Sequence, residues 1–542
     1  MKNLLLFATI LLLCQSIQSQ SKKEKIEKLI SAYSQLNRFN GSVLVSEKGK
    51  IIFEKSYGIK NFQTQEKNTN QSIYRIYSTT KSFTATTILL LNDMGKLSLQ
   101  DKLTMYFPNF PKGDSITIEQ LLTHTSGIQN NANPEDTKDE KTFINFIKAQ
   151  PLDFSPGSQW NYSNSNYYLL GYIINKTAGM SYQKAIQKYI LDPLKMTNTG
   201  FGFKELKNKN KTTGYEFLSK NNFQEGIVYD YDHPHTAGAM YSTVEDLYKY
   251  EEGLKSYKIL KKETLEKAQT PFHNYHYGYG WDMSPIKGKE TVGHDGGGPG
   301  FVSRFFTIPQ DNISIIILSN LRDDSLYSMT SKIVSVCYNL PYQIPTRINI
   351  DFNRLNQLKG IYNTSDSNFY ISVNDGMLTL VDSDTRNKVF FPESDRKFYT
   401  EDNDGNKIRF EFESDKDGKV NLLKITSPDG KITEAKKTSD SFSWGITGSA
   451  TPNGWGGPDI KLISENKNTN ILKAQNILLK PGEIKFRSNN EWVIELGING
   501  YGKLVEHGNN IKIANEGTYD VILDMTDETN PTYQVIKNNF LR

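Results

Sequence analysis

Two residues one helical turn apart, Ser78 and Lys81, form the first group in the sequence that could do chemistry. They stand at the start of an apolar stretch, Thr84 to Met94, which has the pattern of a helix. Side chains at positions i and i+3 share one helix face with Cβ atoms ~5 to 6 Å apart, so the lysine amine can reach the serine hydroxyl. The helix dipole also favours negative charge at the serine. The pair predicts an activated serine nucleophile, although a helix-capping serine and a solvated lysine would give the same pattern.

Tyr162 and Asn164 form the second group, at the end of the segment that begins at Phe154. Pro156-Gly157 predicts a turn, and helical spacing follows, so the tyrosine lies in a rigid loop just before a helix. A phenol held beside the Lys81 cation would have its pKa lowered and could act as a proton shuttle near neutral pH. The alternative for an isolated tyrosine is a buried side chain with a satisfied hydroxyl.

The third group is the glycine-rich run from Gly293 to Phe301, which contains His294, Gly296 and Gly297. Glycines let a substrate lie against strand backbone, and an exposed N–H there can stabilise an oxyanion. The run lacks the Gly-Lys-Ser/Thr ending of a phosphate-binding loop. Without the other two groups it would be only a glycine-rich loop.

The segments between these groups predict a sheet interrupted by a mainly helical insertion. A helix from Ile26 precedes a hairpin made of Gly41 to Val45 and Ile51 to Tyr57, and strands return only near Tyr277 to Trp281 and after Thr291. Residues 100 to 270 mix short helices with polar loops. This pattern indicates an α/β (α+β) domain.

A short helix is predicted before the second group. Thr117 and Gln120 have the spacing of a capping box, which predicts a helix over Ile118 to His124. Ser126-Gly127 then predicts a turn.

Extended segments dominate after about residue 345. They alternate with the Asp-Gly pairs that most strongly signal hairpins, at Asp375-Gly376, Asp404-Gly405, Asp417-Gly418 and Asp429-Gly430. Residues 350–437 therefore predict an all-β meander. Residues 440–542, in which β segments alternate with glycine-rich turns, predict a second small all-β domain, a β-sandwich.

Composition excludes several classes of protein. The length of 542 residues favours several domains. The formal net charge of only +4 argues against a nucleic-acid binder. Its two cysteines, Cys14 and Cys337, exclude a disulfide framework and a cysteine-ligated zinc site. His233 and His235 lack the pattern of a metal site, so no metal and no cofactor are expected.

Residues 1–19 have the layout of a secretory signal peptide. A lysine precedes the apolar run from Leu4 to Leu13, and a polar stretch follows. The expected location is therefore outside the cytoplasm, in the periplasm or at the cell surface. Lipidation at Cys14 is the alternative to cleavage after Ser19.

The three groups, in this order, resemble the serine β-lactamase and penicillin-binding-protein superfamily, in its class C and D-aminopeptidase/esterase-like branch. The resemblance covers about residues 25 to 340, within a predicted domain of residues 20–345. Supporting segments are Leu121 to Gly127, Ala237 to Leu247 and Tyr277 to Trp281.

The resemblance implies an acyl-enzyme on Ser78, with Lys81 and Tyr162 sharing the general-base and general-acid work. Asn164 would bond to Lys81 and to the substrate amide. The N–H groups of Ser78 and Gly297 would form the oxyanion hole.

One departure bears on the substrate. His294-Asp295-Gly296 stands where many β-lactamases have Lys-Thr-Gly. Lysine offers a permanent cation to a substrate carboxylate, whereas histidine is largely neutral at pH 7 unless a neighbour such as Asp295 raises its pKa. A peptidase, amidase or esterase is thus favoured over a class C-like β-lactamase. A glycan- or peptidoglycan-associated binding protein without turnover is the alternative from another class.

The two C-terminal regions carry resemblances of their own. Leu358 to Asn363 and the hairpins after it resemble a lipocalin-like domain that assists oligomerisation or covers the active site in relatives, so the resemblance leaves open a homo-oligomer or a cover over the site. Residues 440–542 resemble the C-terminal modules of starch-binding outer-membrane lipoproteins, through Trp444, Trp455 and Trp492. Exposed rings would bind a glycan by stacking on sugar faces, whereas buried rings would only pack the sandwich.

Overall fold

The computed structural model describes residues 20–130, 139–218, 223–226, 236–346, 348–374, 376–381, 388–464, 470–498, 502–506, 508–527 and 530–538. The predicted leader with Cys14, and the pair His233 and His235, lie outside the described residues. The chain divides into two compact units. The first contains the described residues of 20–218, 226–344 and 403–405, and the second those of 223–225, 345–402 and 406–538.

A five-stranded antiparallel sheet is the framework of the first unit. In spatial order its strands are Lys50–Tyr57, Gly41–Glu47, Ile313–Ser319, Phe301–Ile308 and Val292–Gly298. The predicted hairpin at the sheet edge is confirmed by the pairing of the first two strands, from Gly41 with Tyr57 to Glu47 with Lys50. The central strand is buried at every residue, so both faces of the sheet are covered.

The helix after Ser78 is longer than predicted. It spans Thr80–Asp93, and Ser78 lies in the 3-10 turn Tyr77–Thr79 directly before it. The first residues of this helix are polar but buried. The apolar pattern alone therefore predicted its start at Thr84, four residues after the actual start at Thr80. Gly95 follows the helix with a φ of 68°, in the left-handed conformation predicted for it.

Between the hairpin and the last three strands, the long regular elements are helices, as predicted. The capping box on Thr117 is confirmed, but its helix ends at Leu122, before His124. The remaining helices of the first unit are Lys22–Gln35, Glu140–Ala149, Asn164–Ala178, Tyr182–Ile186, Asp192–Leu194, Val244–Lys255, Lys262–Ala268 and Ser325–Cys337, with 3-10 turns at Leu103–Met105 and Pro309–Asp311 and a π turn at Gln187–Leu191. Short strands are Ile59–Asn61, Glu66–Lys67, Tyr74–Arg75, Tyr215–Leu218 and Tyr241–Ser242.

In the second unit, a helix, Phe352–Leu358, precedes a nine-stranded antiparallel sheet. In spatial order the strands are Lys388–Val389, Met377–Val381, Asn368–Asn374, Gly360–Asn363, Ile432–Ser439, Val420–Thr426, Lys407–Ser414, Lys397–Glu401 and Phe391–Pro392. This order differs from the predicted simple meander, because the first strand pairs with the last one in sequence. The glycines of the four Asp-Gly pairs all have positive φ, as hairpin turns of this kind require.

Two further sheets in this unit share one hydrophobic core, which includes Trp444, Ile446 and Phe486. The larger sheet contains Ile460–Lys461, Trp444–Thr447, Gly482–Ser488, Glu491–Ile498, Leu504–Glu506 and Ile511–Ile513. The smaller contains Ile463–Ser464, Ile471–Leu479, Gly517–Asp524 and Thr532–Lys537. The predicted fold class, an α/β domain with a helical insertion followed by all-β structure, is confirmed. Within the described residues, no helix combines the length and apolarity that a bilayer span requires.

Candidate active site

Ser78 and Lys81 are in direct contact. Lys81 Nζ donates hydrogen bonds to Ser78 Oγ at 3.1 Å and to the main-chain oxygen of Ala237 at 2.8 Å. The lysine is fully buried, while Ser78 is only partly so and remains reachable. Tyr77, directly before the serine, has a φ of 43°, a strained conformation for a residue with a side chain. The turn Tyr77–Thr79 therefore places the Ser78 hydroxyl in contact with the Lys81 amine.

Tyr162 lies beside this pair. The Ser78 hydroxyl acts on the Tyr162 phenol in the direction that lowers the phenol pKa. The Lys81 nitrogen lies 4.9 Å from the centre of the Tyr162 ring and 5.6 Å from that of Tyr167. The structure thus brings together the serine, lysine and tyrosine that the sequence singled out.

Burial controls the proton positions in this group. It lowers the pKa of Lys81 well below its ordinary value, and the charge of Asp295 only partly opposes this shift. It also raises the pKa of Tyr162, although the nearby Ser78 hydroxyl acts in the opposite direction. The expectation of a lowered phenol pKa is therefore wrong, because removal from water disfavours both the ammonium and the phenolate. Burial therefore favours the neutral amine of Lys81 and the neutral phenol of Tyr162, and the amine is the better candidate for the base.

Asn164 lies near the group but does not bond to the lysine as expected. It is the first residue of the helix Asn164–Ala178, and its main-chain N–H donates to Asn130 Oδ1 at 2.9 Å. The Lys81 bonds to described residues go to Ser78 and Ala237, so the carbonyl of Ala237 takes the place expected for the asparagine amide.

The glycine-rich strand Val292–Gly298, which carries His294, lies directly beside the nucleophile turn. Thr79 Oγ1 donates to the main-chain oxygen of His294 at 3.2 Å. A Cβ added at Gly296 would come within 2.9 Å of the Ser78 nitrogen, while Gly297 is exposed and would accept a Cβ without any contact within 4 Å. Open space therefore borders the strand at the residue expected to complete an oxyanion hole.

Both ring nitrogens of His294 are engaged by the protein. Nε2 lies 3.0 Å from the Tyr277 hydroxyl, and Nδ1 lies 2.6 Å from the main-chain oxygen of Asp295. A carbonyl can only accept, so the proton lies on Nδ1 and the tyrosine donates to Nε2. Burial lowers the pKa of this histidine, and Asp295 does not reverse the shift.

The Asp295 carboxylate is itself occupied. It accepts a hydrogen bond from the Tyr327 hydroxyl, and Arg304 lies 4.0 Å away. These groups keep the pKa of Asp295 below its usual value. The other carboxylate oxygen, Oδ1, lies 3.8 Å from His294 Nδ1 and favours the charged ring, but burial outweighs it and the pKa of His294 stays lowered.

Two contacts of the site were not assigned from the sequence. The carbonyl of Ala237 holds the lysine, and the hydroxyl of Tyr277 holds the histidine. Both residues lie in segments that supported the family resemblance, but the sequence did not indicate what either residue does. The described residues contain no group of three or more His, Cys, Asp or Glu side chains that could hold a metal.

Replacing Gly296 with alanine is expected to impair catalysis strongly. The new Cβ would lie 2.1 Å from the Ile76 oxygen and 2.9 Å from the Ser78 nitrogen, so the strand or the nucleophile turn must move. A loss of about 100-fold in kcat is expected, similar to the loss of one oxyanion donor. Gly297→Ala keeps its N–H and has room for its Cβ, so it is the matched control for folding. Equal kcat for Gly296→Ala and the natural protein would show that this close approach does not matter.

Comparisons with known proteins agree with this geometry. The Bacillus subtilis protein PbpX, which is named as a penicillin-binding protein, is 29% identical over 309 residues, which are 57% of this chain and 77% of that protein. The octameric penicillin-binding protein homologue from Pyrococcus abyssi matches with a TM-score of 0.54 and 26% identity, over 76% of this chain and 99% of that one.

A third likeness concerns the fold alone. The D-amino acid amidase from Ochrobactrum anthropi SV3, in complex with D-phenylalanine, matches with a TM-score of 0.50 and 21% identity, over 59% of this chain and 99% of that one.

The Beta-lactamase family model matches residues 26–331, more than half of the chain. The chain therefore belongs to the β-lactamase and penicillin-binding-protein superfamily of serine hydrolases.

Proposed function

We propose that the protein transfers acyl groups from small amides or esters, including those of D-amino acids, to Ser78 and then to water. The observation that carries this proposal is the double engagement of His294, by Tyr277 and by the Asp295 carbonyl. A neutral ring with both nitrogens occupied offers no cation to a substrate carboxylate. Substrates that need such a cation, β-lactams among them, are therefore disfavoured relative to uncharged acyl donors.

The reaction begins with the neutral amine of Lys81. The amine takes the Ser78 proton as Oγ attacks the substrate carbonyl. The N–H groups of Ser78 and Gly297 stabilise the negative charge that develops on the carbonyl oxygen. The Tyr162 phenol, close to both side chains, relays the proton to the leaving group, and water then hydrolyses the ester on Ser78.

A substrate panel tests the proposal. The purified protein would be assayed with p-nitrophenyl acetate, D-alanyl p-nitroanilide and benzylpenicillin. The first two are expected to turn over with kcat/KM at least about tenfold above that of penicillin, because one charge-assisted contact is missing. A higher value for penicillin would favour a β-lactamase instead. Binding of all three without acylation would favour a recognition protein.

We propose a second activity, glycan binding, for the C-terminal sandwich. Trp444 is buried in its core, but Trp492 is 46% exposed and lies 6.0 Å from Trp455, ring centre to ring centre. Arg487 lies 4.6 Å from the Trp492 ring and is fixed by two hydrogen bonds, of 2.6 and 2.9 Å, to Asp459 Oδ1. A rigid aromatic pair with an ordered cation beside it suits stacking against a sugar.

Maltoheptaose and soluble peptidoglycan fragments are suitable probes for this second activity. Calorimetric titration is expected to show binding that Trp492→Ala removes. Ile463→Ala, which truncates another side chain of the sandwich that is 69% exposed, is the control and should bind normally. Equal binding by the two variants, or no binding by the natural protein, would contradict a glycan site at this tryptophan pair.

A further inference from the structure

His124 is a buried histidine that the mechanism above does not use. It follows the helix Ile118–Leu122 and has a φ of 59°, in the left-handed region. It is fully buried, and its Nε2 has no hydrogen-bond partner among the described residues. A buried polar atom without a hydrogen-bond partner destabilises the folded state. If only packing mattered at this position, an apolar side chain would therefore give a more stable protein.

Two other polar atoms of His124, its main-chain oxygen and Nδ1, contact the backbone on both sides of Tyr162. Its main-chain oxygen accepts from the N–H of Asn161 at 3.1 Å. Its ring Nδ1 accepts from the N–H of Ser163 at 3.1 Å. The ring itself lies 4.4 Å from that of Tyr162, centre to centre. One residue therefore holds the tyrosine through both neighbouring peptide groups and through its ring.

The proton position on the ring fits this role. Nδ1 can accept from Ser163 only if it carries no proton, which places the proton of the neutral ring on Nε2. Burial lowers the pKa of His124 well below its usual value, and a positive charge on Lys81 would act in the same direction. Asn166 Nδ2 lies 3.4 Å from the same Nδ1. The Asn166 side chain is oriented by its Oδ1, which accepts a hydrogen bond from the Ser126 hydroxyl.

Aromatic side chains surround the His124 ring. The rings of Tyr167 and Tyr277 lie 5.1 and 4.9 Å from the His124 ring, and Trp160 lies 6.2 Å away, edge on. Aromatic faces accept N–H groups only weakly. The histidine is thus held in one orientation by packing, with Nδ1 as its directed polar contact.

We propose that His124 is a positioning residue for the Tyr162 phenol, acting through the acceptor Nδ1 on the Ser163 N–H. The inference rests on the proposed acyl transfer, in which this phenol relays a proton. A small displacement of the tyrosine loop would leave the substrate cleft open but misplace the relay, so the effect falls on kcat more than on KM.

Three substitutions separate the contribution of the acceptor from that of packing. His124→Asn keeps an oxygen near the Nδ1 position and tolerates a positive φ. His124→Gln moves its polar atoms to the Nε2 position, and His124→Leu has no acceptor. His273→Leu is the matched control, because His273 also has a positive φ, of 53°, but is exposed.

Hydrolysis of p-nitrophenyl acetate is the activity readout. His124→Leu and His124→Gln are expected to lose about 10- to 100-fold in kcat with KM changed little, and His124→Asn to stay within about threefold of the natural protein. His273→Leu should be unaffected. Full kcat in His124→Gln, or equal losses in His124→Gln and His124→Asn, would overturn the inference even if His124→Leu fails to fold.

Hydrogen exchange provides a readout that needs no turnover. The amide of Ser163 is expected to exchange faster in His124→Gln than in the natural protein and to stay protected in His124→Asn. Equal protection in His124→Gln and the natural protein would overturn the inference, whatever the activity. Absence of turnover in the natural protein with every substrate of the panel would instead overturn the proposed function.

Discussion

Ser78→Ala is expected to lose turnover by about 10⁴-fold or more, because the variant lacks the oxygen that forms the acyl bond. Among the described residues, the Ser78 hydroxyl accepts a hydrogen bond from Lys81, a residue of the same site, so its loss should leave the fold intact. Activity would be followed with p-nitrophenyl acetate, and folding by circular dichroism and thermal unfolding.

Ser82→Ala is the matched control for this variant. Ser82 lies in the first turn of the helix that follows Ser78, is fully buried, and donates a hydrogen bond from its hydroxyl to the carbonyl of Thr79. It should keep most of its activity. If Ser78→Ala remains active while properly folded, Ser78 is not the nucleophile.

Lys81→Met is expected to lose about 10³-fold in kcat, because the variant has no amine to accept the Ser78 proton. The natural protein should show a pH dependence of the same origin. The neutral amine accumulates above its pKa, and burial lowers that pKa well below the ordinary 10.5. The value of kcat/KM should therefore rise with pH and level off well before an exposed lysine would titrate.

Lys81→Arg sharpens this test. A guanidinium stays protonated at all accessible pH values, so this variant should lack the rising limb and be nearly inactive. Lys262→Arg, at a position 59% exposed, is the control and should leave the pH profile unchanged. A rise of kcat/KM centred at or above pH 10.5 in the natural protein would contradict a buried amine as the base.

Local patterns in the sequence were sufficient for part of the fold. The Ser78 and Lys81 pair followed from helical spacing, and the hairpin strands Gly41–Glu47 and Lys50–Tyr57 from extended segments around a turn. These features depend on residues close together in the chain. The family resemblance added Tyr162, which spacing alone could not place next to Ser78.

Features that depend on distant residues were not predictable in this way. The pKa of the Tyr162 phenol follows from burial, which only the assembled helices and strands create. The strand Gly360–Asn363 pairs with Ile432–Ser439 across about seventy residues, and no local signal specifies that pairing. The bond from Tyr277 to His294 likewise depends on tertiary structure, although both residues stood in recognised segments.

The most direct measurement of the central claim is the mass of the protein trapped during turnover. The protein would be mixed with p-nitrophenyl acetate, quenched in acid within milliseconds to seconds, digested and mapped by mass spectrometry. The account predicts an acetyl group on the peptide that contains Ser78 and on that serine alone, and none on Ser78→Ala. Product release with the acetyl group on another residue, or with no covalent adduct at any time, would contradict it.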